Sequence, residues 1–356
     1  MRPGSAPVVV VGGSGFIGSN LADSYLRDGE EVVILDNLSR PGVDANLRWL
    51  KTNHGERVHP VLADIRDLSA IEPVFSDAKA VFHLAAQTAV TTSLVHPIHD
   101  FETNARGTIN VLEAVRKAGR NAPLVFASTN KVYGDIEDIS MQELDDRYVP
   151  ADERLRAHGF DESRKLDFCT PYGCSKGVAD QYVLDYAKSY GMPTAALRMS
   201  CIYGPRQFGT EDQGWVAHFL TCVLQGTKIS IYGDGKQVRD ILHVNDAVAA
   251  YRAVMRSIDS LKGKAFNLGG GPQNAISINM ALHEIHRLTG RAVDTAKGDW
   301  RAGDQLYFVA DTRALQSAVG WGPQISWRDG IRDLHDWLVE NRFAASQVRQ
   351  PRRVTA

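Results

Sequence analysis

Four consecutive valines, Val8-Val9-Val10-Val11, run directly into Gly12-Gly13-Ser14-Gly15-Phe16-Ile17-Gly18 and then into a helical pattern ending near Gly29. An unbroken β-branched run has no polar face, the pattern of a strand covered on both sides in a parallel sheet. The glycines recur at every third position. Gly12 suits a tight turn, Gly15 the close approach of a pyrophosphate, and Gly18 the packing of helix on sheet, with Phe16 and Ile17 opening a helix whose N-terminus faces the phosphates. A glycine pattern bracketed by strand and helix points to the first unit of a dinucleotide-binding sheet.

The chain continues in the same style. Glu31–Asp36 reads as a second strand, and Asp36 falls 18 positions after Gly18, where a carboxylate can bind an adenosine ribose diol. A 2′-phosphate would meet a like charge there, which favours NAD over NADP. Arg40, after Asn37 and Ser39, is the nearest cation that would argue the other way. Further strands follow at 58–64 and 80–86 and at 123–128, with a helix from about 99 to 118 carrying Asn104. Asp64 could accept from the adenine amino group, with Ile65 beside it. The small residues after Leu84, Ala85 and Ala86, let a cofactor lie against backbone, and Ser128-Thr129 ends the next strand. Strands alternating with helices predict a doubly wound parallel (Rossmann) α/β sheet, with its ligand beyond the strand carboxyl ends.

Thr170-Pro171-Tyr172-Gly173-Cys174-Ser175-Lys176 opens a helix running to about Tyr190. Thr170 can cap it and Pro171 suits its first turn. Tyr172 and Lys176 are four apart and share one face, continued by Ala179, Val183 and Tyr186. A phenol and an ammonium at the head of an apolar stripe can be tuned for acid–base work. A free phenol titrates near 10, so working near neutrality requires about 4 kcal/mol of help. Lys176 and a positive nicotinamide ring are the expected sources.

Between the Tyr133-Gly134 turn and Thr170 lies a polar insertion, residues 135–170, of a length that is usually functional or mobile. The domain division expected is 1–195 for the dinucleotide-binding part, 196–343 for a smaller C-terminal substrate-binding lobe, and 344–356 for a disordered tail. In that lobe Arg206, Arg239 and Arg301, carried on glycine-rich turns with Gln207 and Asp304 nearby, read as an anion clamp.

Hydrophobic residues make up 44% and charged residues 23%, and the net charge of −2 leaves no electrostatic footprint for nucleic acid or an anionic membrane. No apolar run is long enough to span a bilayer and no signal-peptide segment leads the chain, so a cytoplasmic location is expected. Cys169, Cys174, Cys201 and Cys222 lack metal-ligand spacing and are expected as reduced thiols, with no metal site.

Together Gly12-x-x-Gly15-x-x-Gly18, Asp36, Asp64, His83-Leu84-Ala85-Ala86, Asn104, Thr129, Tyr172-x-x-x-Lys176, Tyr203-Gly204-Pro205 and Arg239-Asp240-x-x-His243 resemble the extended short-chain dehydrogenase/reductases that act on nucleotide sugars. The resemblance spans roughly residues 7 to 340. It implies tightly bound NAD, Thr129, Tyr172 and Lys176 as catalytic triad, and Arg239 and Arg301 on a substrate diphosphate. It also implies a substrate site including Gln87, Thr129, Asn130, Lys131, Cys201, Arg206, Gln207 and Asp304. Family members often dimerise through the helices that here carry Asn104 and Tyr172. Ser128-Thr129-Asn130-Lys131-Val132-Tyr133-Gly134, Arg206-Gln207-Phe208 and Gly235-Lys236-Gln237-Val238-Arg239-Asp240 resemble the CDP-paratose (CDP-tyvelose) 2-epimerase branch in particular. That implies a CDP- or UDP-linked sugar inverted at one carbon. The same family contains UDP-sugar 4-epimerases, which use the same residues, 4,6-dehydratases and ketosugar reductases. Dehydratases carry Asp-Glu after the catalytic threonine, where this chain has Asn130-Lys131. A reductase would need exchangeable NADPH, against which Asp36 argues. Cys201 stands where the common family pattern has asparagine.

Overall fold

A computed structural model describes residues 6–301 and 303–343; the expected tail, 344–356, lies outside them. The seven strands of the main sheet are β1 (Val8–Val11), β2 (Val32–Asp36), β3 (Val58–Leu62), β4 (Ala80–His83), β5 (Leu124–Thr129), β6 (Thr194–Met199) and β7 (Lys264–Leu268). All neighbours pair in parallel, in the order β7-β6-β5-β4-β1-β2-β3. The order reverses between β1 and β4, and a ligand crevice is expected at the carboxyl ends of those two strands.

The valine run explains itself here. Val8 and Val10 pack with Leu21 and Leu26 of α1 (Phe16–Arg27) and with the helix Val244–Arg256 on one face. Val9 and Val11 pack with Val111, Leu112 and Val115 of α2 (Gly107–Lys117) and with Ala179 and Val183 of α3 (Thr170–Tyr190) on the other. All four valines are fully buried, each contributing about 1.5–3 kcal/mol of apolar burial.

The chain does not divide at one point near residue 196. Thr194–Met199 and Lys264–Leu268 both lie in the main sheet, and Leu242, Val244, Ala247 and Val254 belong to its core. The smaller lobe is what remains: a sheet built from Val238–His243 with Cys201–Tyr203, Ala275–Ser277 and Tyr307–Phe308, a two-stranded pair Ile229–Tyr232 with Thr295–Gly298, and the helices around them. The helix expected over 99–118 is broken into Pro97–Phe101, a π-helical stretch Glu102–Arg106 and α2. The wide turn carries Asn104. The insertion contains an antiparallel hairpin, Met141–Glu143 with Tyr148–Pro150, and a short helix, Glu153–His158. It is tied down where Phe160 stacks on Phe308 at 5.7 Å inside an apolar cluster.

Candidate active site

β1 ends in Gly12, whose φ of +79° suits glycine and whose missing side chain matters: a Cβ there would lie 2.6 Å from the Ala85 nitrogen. At Gly18 a Cβ would stand 2.2 Å from the Gly12 carbonyl oxygen, so α1 can sit on the sheet only without one. At Gly15 a Cβ would meet nothing but the Gly12 oxygen at 3.1 Å, leaving open space on the cleft floor. No side chain caps α1, so its first N–H groups are available to an anion. At the tip of β2, Asp36 accepts from the Ser14 N–H at 3.0 Å and the Leu38 N–H at 2.8 Å. Burial raises its carboxyl above the usual value against those bonds.

These elements frame a cleft of about 270 Å³. Gly12, Gly15, Phe16, Ile17, Gly18, Asp36, Asn37, Ser39, Arg40, Asp64, Ile65, Leu84, Ala85, Ala86, Ser128, Thr129, Tyr172 and Lys176 all line it. Asp64 is gripped by the Arg66 guanidinium at 2.8 and 2.9 Å and by Asn37 at 2.9 Å. Arg66 above all holds its carboxyl well below the usual range. Arg40 donates to Thr88 and, at 3.2 Å, to Gln213, bridging to the smaller lobe. A glycine floor that side chains would fill, an uncapped helix and a carboxylate at the second strand fit a dinucleotide with a free ribose diol.

At the inner end of the cleft, β5 supplies Thr129 and the head of α3 supplies Tyr172 and Lys176. Cys169 precedes the helix, and the Thr170 hydroxyl accepts from the Gly173 N–H at 3.4 Å. Burial pushes the Tyr172 phenol up to about 12, opposed by hydrogen bonding from Thr129 and by the charge of Arg40. Lys176 is pushed down to about 7, chiefly by burial. Its ammonium donates to the Ala127 carbonyl at 2.6 Å and lies 4.1 Å from the Phe126 ring centroid. Burial therefore sets the direction of both shifts, and the Lys176 ammonium is bonded to the sheet at the Ala127 carbonyl.

Asn104 does not line the cleft. Its amide donates to the Gln87 carbonyl (3.0 Å) and the Ser175 hydroxyl (3.1 Å), and its oxygen accepts from the Gln87 N–H (2.8 Å). All three residues converge on Asp100, fully buried, which accepts from Gln87 at 2.7 Å, Asn104 at 3.2 Å and Ser175. Asp100 is a residue the sequence reading missed. Nothing in His99-Asp100-Phe101 distinguishes it from a solvated helix position.

A second cleft, of about 340 Å³, adjoins the first, with Gln213 lining both. It is lined by Lys131, Arg239, Arg301 and Asp304 among apolar and aromatic neighbours including Trp215, Phe219 and Tyr232. Arg239 pairs with Asp304 at 2.6 Å. Arg301 lies 3.9 Å over the Tyr232 ring and faces Glu211 at 3.7 Å and Asp212 at 3.6 Å.

The other residues expected at the substrate are elsewhere. Arg206 lines the first cleft rather than the second: its guanidinium stacks 3.6 Å over Trp49, bonds Asn20 at 2.5 Å and Asp23 at 3.3 Å, and fastens its loop to α1. Gln207 donates to the Ile202 carbonyl at 3.2 Å and lines the first cleft. Cys201 accepts from the Trp215 indole at 3.0 Å, and burial pushes its thiol up to about 11. Asn130 donates to Gln305 at 3.1 Å, and Gln87 belongs to the Asp100 network. None of these five lines the second cleft.

Residues 8–269 match the NAD dependent epimerase/dehydratase family. A CDP-paratose 2-epimerase from Salmonella typhi is 40% identical over 336 residues, covering 93% of this chain and 98% of that protein. The UDP-glucose 4-epimerase of Thermus thermophilus, solved in complex with NAD, superposes with a TM-score of 0.79 at 30% identity, covering 94% of this chain and 99% of that one. A double mutant of a dTDP-glucose 4,6-dehydratase from Streptomyces venezuelae, solved with NAD, gives a TM-score of 0.81 at 28% identity, covering 95% and 98%.

Proposed function

This chain belongs to the NAD dependent epimerase/dehydratase family, and within it we propose a nucleotide-sugar epimerase, similar to CDP-paratose 2-epimerase, that inverts one sugar carbon by transient oxidation. The carrying observation is a pair of neighbouring clefts that share Gln213 in their walls. Thr129, Tyr172 and Lys176 stand in a cleft shaped for a dinucleotide, and the adjoining cleft presents Lys131, Arg239 and Arg301 to an anion. The smaller lobe would hold a CDP- or UDP-linked sugar by its diphosphate, with Asp304 exchanging its arginine for the ribose or the solvent.

NAD, when bound, supplies a two-electron sink that can take a hydride from a sugar carbon and give it back. The chain supplies the proton chemistry. Thr129 would hold the reacting hydroxyl while Tyr172 takes its proton, and returns it when the carbon is reduced on its other face. With a phenol near 12 in the protein alone, added positive charge must stabilise the phenolate. Arg40 contributes already, and the Lys176 ammonium would contribute if it turned from the Ala127 carbonyl towards the phenol. Dehydration needs a carboxylic acid beside the threonine, and Asn130 and Lys131 offer none.

We also place the reaction in the cytoplasm, which the four free cysteines suit. A homodimer would cover Leu94, Val95, Ile98 and Phe101, exposed apolar residues on the helices beside α3, and Tyr182 on α3 itself.

Two measurements test the reading. Purified protein should release NAD on unfolding, and an empty or NADPH-filled site would count against transient oxidation. Tyr172→Phe should retain NAD and lose about 10²–10⁴-fold in turnover; unchanged turnover would remove Tyr172 from the chemistry.

A further inference from the structure

Three cations line the second cleft, and they are not equivalent. Arg239 and Arg301 each already face carboxylates, Asp304 for the first and Glu211 with Asp212 for the second. Among the described residues Lys131 has no carboxylate within ion-pair distance. Its ammonium donates to the neutral Gly303 carbonyl at 2.9 Å, which uses one of three N–H donors. Its backbone position is fixed as well. Thr129 caps the 3₁₀ turn Asn130–Tyr133 by accepting from the Lys131 N–H at 3.2 Å. Lys131 therefore leaves the chain beside the proposed reacting hydroxyl, while its ammonium reaches the arginine cleft.

We infer that Lys131 holds the sugar-proximal phosphate of the nucleotide sugar next to the reacting carbon, and thereby selects the carbon adjacent to the anomeric centre. This rests on the nucleotide-sugar reading above. The geometry of the substrate does the selecting. The sugar-proximal phosphate is attached through oxygen to C1, so a phosphate held close to Thr129 brings the hydroxyl of C2 to Tyr172. The hydroxyl of C4 lies across the ring and would need the phosphate farther from Thr129, beyond the reach of the Lys131 ammonium.

The charged and titratable groups facing Lys131 are Arg239, Asp304, Cys169 and Asp135. Burial, and then Arg239, push its ammonium down to about 8, against the pull of the other three. A phosphate beside it would restore the ordinary value, so binding near the depressed value must take up a proton.

The test is calorimetric titration of the NAD-loaded protein at about pH 8.5, in two buffers of different ionisation enthalpy, with CDP, UDP, CMP and UMP. Wild type should take up about 0.8 proton on binding its nucleoside diphosphate and close to none with the monophosphate. Lys131→Met should abolish the uptake and weaken the diphosphate about 10–100-fold while leaving the monophosphate unchanged. Lys131→Arg, charged at every working pH, should keep the affinity and still lose the uptake. Wild-type uptake in Lys131→Met, or equal weakening of mono- and diphosphate, would overturn the assignment. Failure of wild type to bind either diphosphate would instead overturn the nucleotide-sugar reading on which it rests.

Discussion

The cofactor cleft is shaped by backbone, whereas the cleft beside it is shaped by charged side chains brought from distant parts of the chain. Around Gly12 and Gly18, would-be Cβ atoms meet main-chain atoms at 2.6 and 2.2 Å, so the turn and helix that floor the cleft can pack this closely only because those side chains are missing. Around Arg239 and Arg301 the space is bounded by ion pairs, each guanidinium facing a carboxylate. The first cleft is ready before its ligand comes. If the second takes the proposed diphosphate it must exchange partners, so its affinity would be a difference between two sets of charge contacts and should fall with salt.

The comparison breaks most easily at its rigid side. Gly18→Ala should cost about 3 kcal/mol of stability or more, because the obstructing atom is backbone and α1 must lift. It should lose NAD as well, read by thermal unfolding and by the NAD released on denaturation. An alanine variant that keeps both would mean the helix can move freely.

The other side sharpens through a pair of arginines. Arg239→Met should weaken nucleoside diphosphate binding about 10–100-fold with NAD content unchanged. Arg206→Met should do the reverse: about 1–2 kcal/mol of stability lost with its Trp49 and Asn20 contacts, and diphosphate affinity within about twofold of wild type. Calorimetry and urea unfolding of the two variants together separate a clamp from a fastening.

A smaller effect comes from His83, fully buried on β4 with Nε2 3.0 Å from the Thr108 hydroxyl. Burial, and then Lys176, push its imidazole down to about 3 from an ordinary 6.5. Between those values the unfolded chain binds a proton that the folded one does not, so stability falls as pH drops below about 6.5. From pH 6.5 to 5 the loss is about 1.5 kcal/mol. His83→Gln should remove that part of the slope in urea unfolding at the two pH values; an unchanged slope would mean His83 is not held neutral.

What the sequence made legible follows the same division. The valine run, the glycine loop and Asp36 are contiguous or nearly so, and the forces that shape them are local, so the cofactor cleft could be read residue by residue. The second cleft depends on which distant residues meet. Arg206 looked like a phosphate ligand because it sits on a Gly-Pro turn, yet its partners are Trp49, Asn20 and Asp23. The return of Lys264–Leu268 to the main sheet was hidden because a five-residue strand alone does not reveal its neighbours. Tyr172 shows a third kind of gap. Its spacing from Lys176 was visible, but the direction of its shift is set chiefly by burial, which depends on how the elements pack.

If Tyr172 and its neighbours serve an internal redox cycle, the same hydrogen must return to the same carbon. Turnover of a CDP- or UDP-sugar in deuterated water, followed by proton NMR, tests it directly. Inversion at C2 should proceed with no deuterium on the inverted carbon and no net change in NAD. Deuterium at that carbon, or loss of water from the sugar, would contradict it.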